Sequence, residues 1–409
     1  MRGISENLTI GERVAWYRRR RGMSQEALAG LVGRTSDWLG KAENNRIELD
    51  RLSVIRSLAD ALDVALGDLI GEPTLLDWTP DSGTATVPAL RAALMDYSQL
   101  TPILTAPKSD AEPPALDELA RELRSVFDAY QGSRFAYAAG RAPLLLADAL
   151  LAARQYDGDD RLRAHELLAL SYQAAASVLT KIGEADLAWM AAERGLAAAQ
   201  QSESYAITGS LFRSVAFALL STGHHQPAMS LTEATAAYLQ PHLNDGDGDV
   251  ISAYGTLLLV GSMAAARSED RAATRGYLAE ADEAARRLGV DGNHLWTAFG
   301  PTNVAIHRVN TAMELGDVQV ALDIGPELDT AALPVERRVR HMLDVARAFH
   351  VSGRHDAAVA TVLNAERMAP DQVRHHYLSR QLVITWVRNA HGKPGFELHQ
   401  LATRMHVVG

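Results

Sequence analysis

Apolar residues recur at i, i+3, i+4 and i+7 through most of the 409-residue chain, a period that predicts amphipathic helices and no strands. Three stretches differ in their punctuation. Residues 10–70 read as a compact set of short helices separated by Gly, Ser and Thr. Residues 72–114 hold seven of the 15 prolines and the turn-forming run Asp81-Ser82-Gly83. Proline removes a helix donor and constrains its predecessor, so this stretch reads as a linker, interrupted by one short helix near Pro88–Tyr97. From Ala115 onward long helical periods follow one another to the C-terminus. The expected organisation is therefore 1–71, a linker over 72–114, and a helical array over 115–409.

The array repeats a small device. Gly183 is followed five residues later by Ala188, Gly223 by Ala228, Gly316 by Ala321 and Gly353 by Ala358, and Ser268 with Ala273 keeps the offset without the glycine. A glycine supplies the left-handed stop of one helix, and the small alanine lets the next helix pack closely on it. The units are spaced by 40, 45, 48 and 37 residues. The pattern resembles the tetratricopeptide repeat, whose unit is a helix pair with a small residue early in its second helix. The expected fold class is all-α, with an N-terminal five-helix domain and a C-terminal α-solenoid of such pairs.

In the first stretch, Met23-Ser24-Gln25-Glu26-Ala27-Leu28-Ala29-Gly30-Leu31-Val32-Gly33 runs into Arg34-Thr35-Ser36-Asp37-Trp38-Leu39-Gly40-Lys41-Ala42-Glu43-Asn44. Ser24 and Thr35 are N-cap residues, Gly33 permits a tight turn, and Leu28, Ala29, Val32, Leu39 and Ala42 point inward. The opposite face of the second helix then carries Ser36, Asp37, Gly40, Lys41 and Asn44. This segment resembles the Cro/phage-repressor helix-turn-helix class, also called XRE and typified by the lambda-repressor fold. The resemblance implies a second helix that lies in the major groove of double-stranded operator DNA. It implies contacts from Gln25 to the backbone or outermost base, from Ser36, Asp37 and Lys41 to bases, and from Asn44 and Arg46 to phosphate. Thr35 opens the same helix and joins this set.

Charge sharpens that picture. The chain carries a net −10, yet residues 13–46 hold eight basic and three acidic side chains. A local basic patch suits phosphate, and an acidic remainder discourages indiscriminate binding. Arg20 and Arg21, within the run Arg18–Arg21, exceed what helix capping needs and are candidate phosphate contacts. Arg34 stands where the family has an apolar residue and either reaches a phosphate or is solvated. Trp38 either covers the edge of the core or meets a base or sugar. Asp37 either accepts from cytosine or is a favourable charge at the helix start.

No nucleophile elbow, phosphate loop or catalytic carboxylate pair stands out, so no enzyme activity and no cofactor are expected. The absence of cysteine excludes disulfides and thiolate metal sites. The adjacent pairs His224-His225 and His375-His376 form no metal site, and the run Asn244–Asp249 departs from a calcium loop at Val250 and Thr256. Met1–Thr9 lacks a signal-peptide core, and no stretch is expected to approach the roughly 20 apolar residues that cross a bilayer, which points to the cytoplasm.

On the array, Asn303, His307 and Asn310 share one helical face after Trp296 and Phe299. With Trp189, Arg213 and Tyr254 they are candidate contacts for an effector, a peptide or small molecule; packing and inter-helix bonds are the alternative. The combined resemblance, to bacterial regulators of which actinobacterial examples control development or secondary metabolism, implies a homodimer whose DNA affinity an effector controls. A protein-docking scaffold without small effector, or an antitoxin-like regulator, remains open.

Overall fold

A computed structural model describes residues 8–64, 66–70, 87–95, 112–390 and 395–407. Among them there is no strand. The helices are α1 Ile10–Arg20, α2 Gln25–Leu31, α3 Ser36–Glu43, α4 Leu52–Ala61, α5 Leu66–Ile70, α6 Val87–Leu94, α7 Leu116–Gln131, α8 Phe135–Gln155, α9 Gly158–Lys181, α10 Ala185–Gln201 and α11 Tyr205–Ser221. They continue as α12 His225–Leu239, α13 Gly248–Arg267, α14 Arg271–Leu288, α15 Pro301–Leu315, α16 Val318–Ile324, α17 Val335–Val351, α18 His355–Met368, α19 Pro370–His375, α20 Tyr377–Asn389 and α21 Phe396–Arg404. The expected helix near Pro88 is α6; most of the expected linker, 72–86 and 96–111, lies outside the described residues.

Contacts divide the chain into two compact units that do not follow its order. One joins residues 1–76 to 308–328 and 337–409; the other joins 77–307 to 329–336.

In the first unit, α1–α5 close around Ile10, Val14, Leu28, Leu39, Ile55, Leu58, Leu62 and Leu69. Thr9 opens α1 with a capping box to Glu12, which satisfies two donors that the helix start leaves unpaired. The C-terminal helices are bonded to this bundle. The Arg347 guanidinium on α17, 1% exposed, reaches Asp50 at 3.0 Å and Glu314 at 3.1 Å. Near it, the Trp386 indole N–H donates to Nδ1 of His350 at 2.8 Å, leaving Nε2 to donate to Glu48 at 2.7 Å. Arg388 meets Glu12 at 2.5 Å, and the Ile10 amide donates to Gln381 at 3.1 Å. Three carboxylates of the N-terminal bundle are thus met by donors from α17 and α20.

The second unit is a succession of hairpins, α7/α8, α9/α10, α11/α12 and α13/α14, each packed on the next. The repeated glycines do what their spacing predicts. Gly183 and Gly223 take φ of 85° and 80°, and Ala188 and Ala228 are buried. In the first unit Gly316 and Gly353, at 80° and 79°, precede buried Ala321 and Ala358. After Ser268 the left-handed position passes to Glu269, at 60°.

One expectation is corrected. Two helices, Phe135–Gln155 and Gly248–Arg267, are long and apolar enough to cross a bilayer by length and composition. The more apolar, α13, is instead the central helix of this unit, wrapped by α11, α12 and α14. A helix apolar on all faces serves equally as the middle of a protein core.

Two outcomes are expected in the first unit. Arg347→Ala leaves the buried Glu314 carboxylate uncompensated and should lower stability by roughly 3–5 kcal/mol, read as a urea midpoint shift with faster amide exchange in α1–α4. His341 is buried and donates to the Gly325 carbonyl at 3.0 Å. Burial holds its pKa below the usual imidazole value, against the opposing pull of that carbonyl and of Asp344. The unfolded imidazole therefore takes up a proton as pH falls through about 6.5 while the folded one does not, and stability drops as pH falls below that value. Stability measured from about pH 7 to about pH 5 should fall less steeply in His341→Gln.

Candidate nucleic-acid interface

The local chemistry of residues 23–46 sets two helices at a tight turn. Ser24 Oγ accepts from the Ala27 amide at 3.1 Å, and Thr35 Oγ1 from the Trp38 amide at 3.2 Å. Gly33 between them has φ of 65°, a conformation that disfavours any side chain. Leu28, Ala29, Leu39 and Ala42 are buried, which fixes the rotation of α3 about its axis. Ser36, Asp37, Lys41 and Asn44 are left exposed along one side, with Arg34, Thr35 and Arg46 exposed at its two ends.

Several of these groups have partners. Lys41 Nζ meets Asp37 Oδ2 at 2.6 Å one turn away, so the two charges offset each other in the free protein. Asn44 donates to the Gly40 carbonyl at 2.7 Å. Trp38 packs against the bundle core, and the Arg34 guanidinium lies 5.6 Å from its ring centroid. Both readings of Trp38 are compatible with this placement, since the ring stays half-exposed beside the exposed row.

The run Arg18–Arg21 divides in a way its sequence does not show. Arg18 is buried and binds Glu43 through two nitrogens, Nε to Oε1 at 2.5 Å and Nη2 to Oε2 at 2.8 Å, while its third nitrogen donates to the Met23 carbonyl. Glu43 also accepts from Gln25 Nε2 at 2.7 Å. One carboxylate therefore ties α1, α2 and α3 together and orients Gln25. Arg21 is turned to Asp63 at 2.9 Å. Arg19 and Arg20 remain exposed, Arg20 lying 5.0 Å over the Trp16 ring, and they line a cleft of about 770 Å³ with Asn44 and Asn45. Guanidiniums and amides around an open cleft beside α3 offer donors suited to phosphate oxygens.

Residues 9–71 match the family model described as "Helix-turn-helix domain". The N-terminal segment is a helix-turn-helix domain. No curated protein matches the chain. Among solved structures, BtubC (BKLC) from P. vanneervenii is 16% identical, covering 68% of this chain and 95% of its own, with a TM-score of 0.39. A Rap protein complexed with competence and sporulation factor is 11% identical over 90% and 99%, with a TM-score of 0.47. Bacillus thuringiensis PlcR in complex with the peptide PapR7 and DNA is 12% identical over 87% and 99%, with a TM-score of 0.36.

Away from the helix-turn-helix domain, the eight effector candidates are placed unevenly. Phe299 is fully buried against Gly255 and belongs to the core of the second unit. Tyr254 is also buried and donates its phenol hydrogen to Glu280; burial, then that bond and charge, push its pKa up. Trp189 is exposed on α10, and Arg213 is half-buried on α11. Asn303 and His307 are buried one turn apart on α15, His307 Nδ1 lying 2.8 Å from the Asn303 carbonyl. Neither side-chain amide atom of Asn303 has a hydrogen-bond partner among the described residues. Asn310 belongs to the first unit and donates to Asp344 at 3.0 Å. Trp296 stacks on Phe127 at 4.2 Å, a contact that spacing along the sequence could not indicate.

Within the helix-turn-helix domain, Glu43→Ala strands the Arg18 charge and releases Gln25. A loss of roughly 3–5 kcal/mol in the stability of the first unit is expected, measured by chemical denaturation and by loss of protection in α1–α3.

Proposed function

We propose that the protein is a sequence-specific, cytoplasmic DNA-binding transcription regulator that binds a two-fold operator as a homodimer. Its affinity for the operator is set by a small molecule or peptide taken up by the helical repeats. The observation that carries the reading is the exposed row Ser36, Asp37, Lys41 and Asn44 on a helix whose other side is locked in the core, flanked by Arg19 and Arg20. A helix presented in this way fits the major groove. Lys41 can donate to guanine O6 and N7, and Asp37, once released from Lys41, can accept from cytosine N4. Gln25, Asn44, Arg46, Arg20 and Arg21 would take the backbone, Thr35 and Ser36 the start of the groove, and Arg34 and Trp38 its edge.

The link between repeats and DNA reader rests on the bonds within the first unit. Glu12, Glu48 and Asp50 of the helix-turn-helix domain are held by Arg388, His350 and Arg347. A change in the packing of α17 or α20 therefore acts directly on the DNA-reading bundle. In a homodimer the two recognition helices must meet half-sites about 34–36 Å apart or a multiple of that, so small shifts suffice to alter affinity.

Selection from random duplexes at moderate salt, with cell extract supplied as a source of effector, tests the reading; no preference among sequences discards it. On a selected operator, Lys41→Ala should weaken specific binding by about 1–3 kcal/mol and relax the preference at one base. Arg20→Ala should weaken all duplexes alike and lower the salt slope by about one. Unchanged selectivity in Lys41→Ala would show that α3 does not read bases.

A further inference from the structure

The connection from α14 to α15 carries an unusual backbone. Leu295, Trp296 and Ala298 have φ of 48°, 54° and 51°, a left-handed conformation that residues with side chains adopt only under constraint. The loop is closed at its base, where the Gly292 amide donates to the Phe299 carbonyl at 2.8 Å and Asp291 accepts from the Thr302 amide and hydroxyl at 3.0 and 2.6 Å. Its tip is held partly by the loop itself, where the Ala298 amide donates to Asn293 Oδ1 at 3.2 Å and the Trp296 amide to the Asn293 carbonyl at 3.1 Å, and partly by other helices. The Trp296 ring stacks on Phe127 of α7, 4.2 Å away and 6° from parallel. Gln131, one turn further along α7, exchanges two hydrogen bonds of 2.9 Å with the Asn293 carboxamide and donates to the Trp296 carbonyl at 3.2 Å. Gln173 of α9 donates to the Leu295 carbonyl at 3.4 Å and is itself held by Ser210 of α11.

This is the chemistry by which a protein reads a peptide: side-chain amides on main-chain carbonyls, a paired carboxamide, and a flat platform under an aromatic ring. Here it is satisfied by the chain's own residues. An open cleft of about 370 Å³ runs beside it, lined by Gln131, Asn293, Asp291, Asp128, Ala298 and Leu333. The Gln131–Asn293 pair is exposed to solvent, where exchange of partners is least costly. The side-chain amide of Asn303, buried at the start of α15, has no hydrogen-bond partner among the described residues.

We propose that residues 293–298 are a built-in occupant of a peptide-reading surface formed by Phe127, Gln131 and Gln173. An effector peptide that presents an aromatic side chain near a carboxamide takes their place. The loop is tethered at both ends, so its effective concentration is high, and a competing peptide binds more weakly by the fraction of time the surface is free. The proposal rests on the effector-sensing reading of the repeats.

The test uses the full chain and a fluorescein-labelled peptide of sequence Asp-Gly-Asn-His-Leu-Trp-Thr-Ala-Phe, followed by anisotropy. The double variant N293A/W296A, which vacates the surface, should bind this peptide at least tenfold more tightly than the parent. Adding Gln131→Ala should abolish the gain, and a peptide with Ala in place of Trp should not bind. No binding by the double variant, or equal affinity in parent, double and triple variants, overturns the proposal. Hydrogen exchange on the unaltered protein gives a reading independent of how the variants fold. The amides of 296–298 should exchange far faster than those of α13, and faster again with saturating unlabelled peptide. Protection equal to that of α13 and unmoved by peptide overturns the proposal too. Operator selection is scored separately, so a loop that never yields leaves the DNA-binding reading intact.

Discussion

A guanidinium withdrawn from water is tolerated only where carboxylates replace its hydration, and Arg347 meets that condition with groups drawn from two distant parts of the chain. Glu314 comes from the end of α15, and Asp50 from the segment between α3 and α4. Because neither carboxylate can be given up without stranding charge, the N-terminal bundle and the C-terminal helices are held to one geometry. His350 with Glu48, and Arg388 with Glu12, add contacts of the same sense. Three acidic side chains of the N-terminal bundle are thereby paired within their own compact unit, while Arg19, Arg20, Arg34 and Lys41 stay exposed.

Inside the bundle a second buried pair performs the corresponding local task. Arg18 and Glu43 fix α1 to α3, and Gln25 joins them from α2. Buried ion pairs contribute little net stability compared with apolar packing, but they penalise every arrangement in which the partners fail to meet. That property holds the exposed row of Ser36, Asp37 and Lys41 in one register. The Lys41–Asp37 pair differs, being exposed to solvent, where such a pair contributes little to stability.

The second unit shows the same contrast between what is fixed and what can exchange. Its hairpins pack closely on one another, as where Phe299 fills the space a side chain at Gly255 would need. The loop that follows α14 is held otherwise, by an aromatic stack and by amide pairs at the edge of an open cleft. The Gln131–Asn293 pair is open to solvent, whereas the Phe127 ring under Trp296 is buried.

Helix starts and stops were legible from residue order alone, because they depend on neighbours within one turn. Ser24 and Thr35 cap as their chemistry dictates, Gly33 turns, and the glycine–alanine offsets end one helix and admit the next. The inward face of α3, and so the exposed identity of its other face, followed from the same period. Which arginine of Arg18–Arg21 would be buried depended on Glu43, 25 residues away, and which groups would hold Asp50 depended on Arg347, 297 residues away. Nor could periodicity place Phe299 in the core, send Trp296 onto Phe127, or show that α13 is apolar because helices surround it on every side. Local sequence sets backbone conformation through short-range sterics and hydrogen bonds. The partners of a buried charge or a stacked ring are chosen by the packing of the whole unit, and only the tertiary structure decides them.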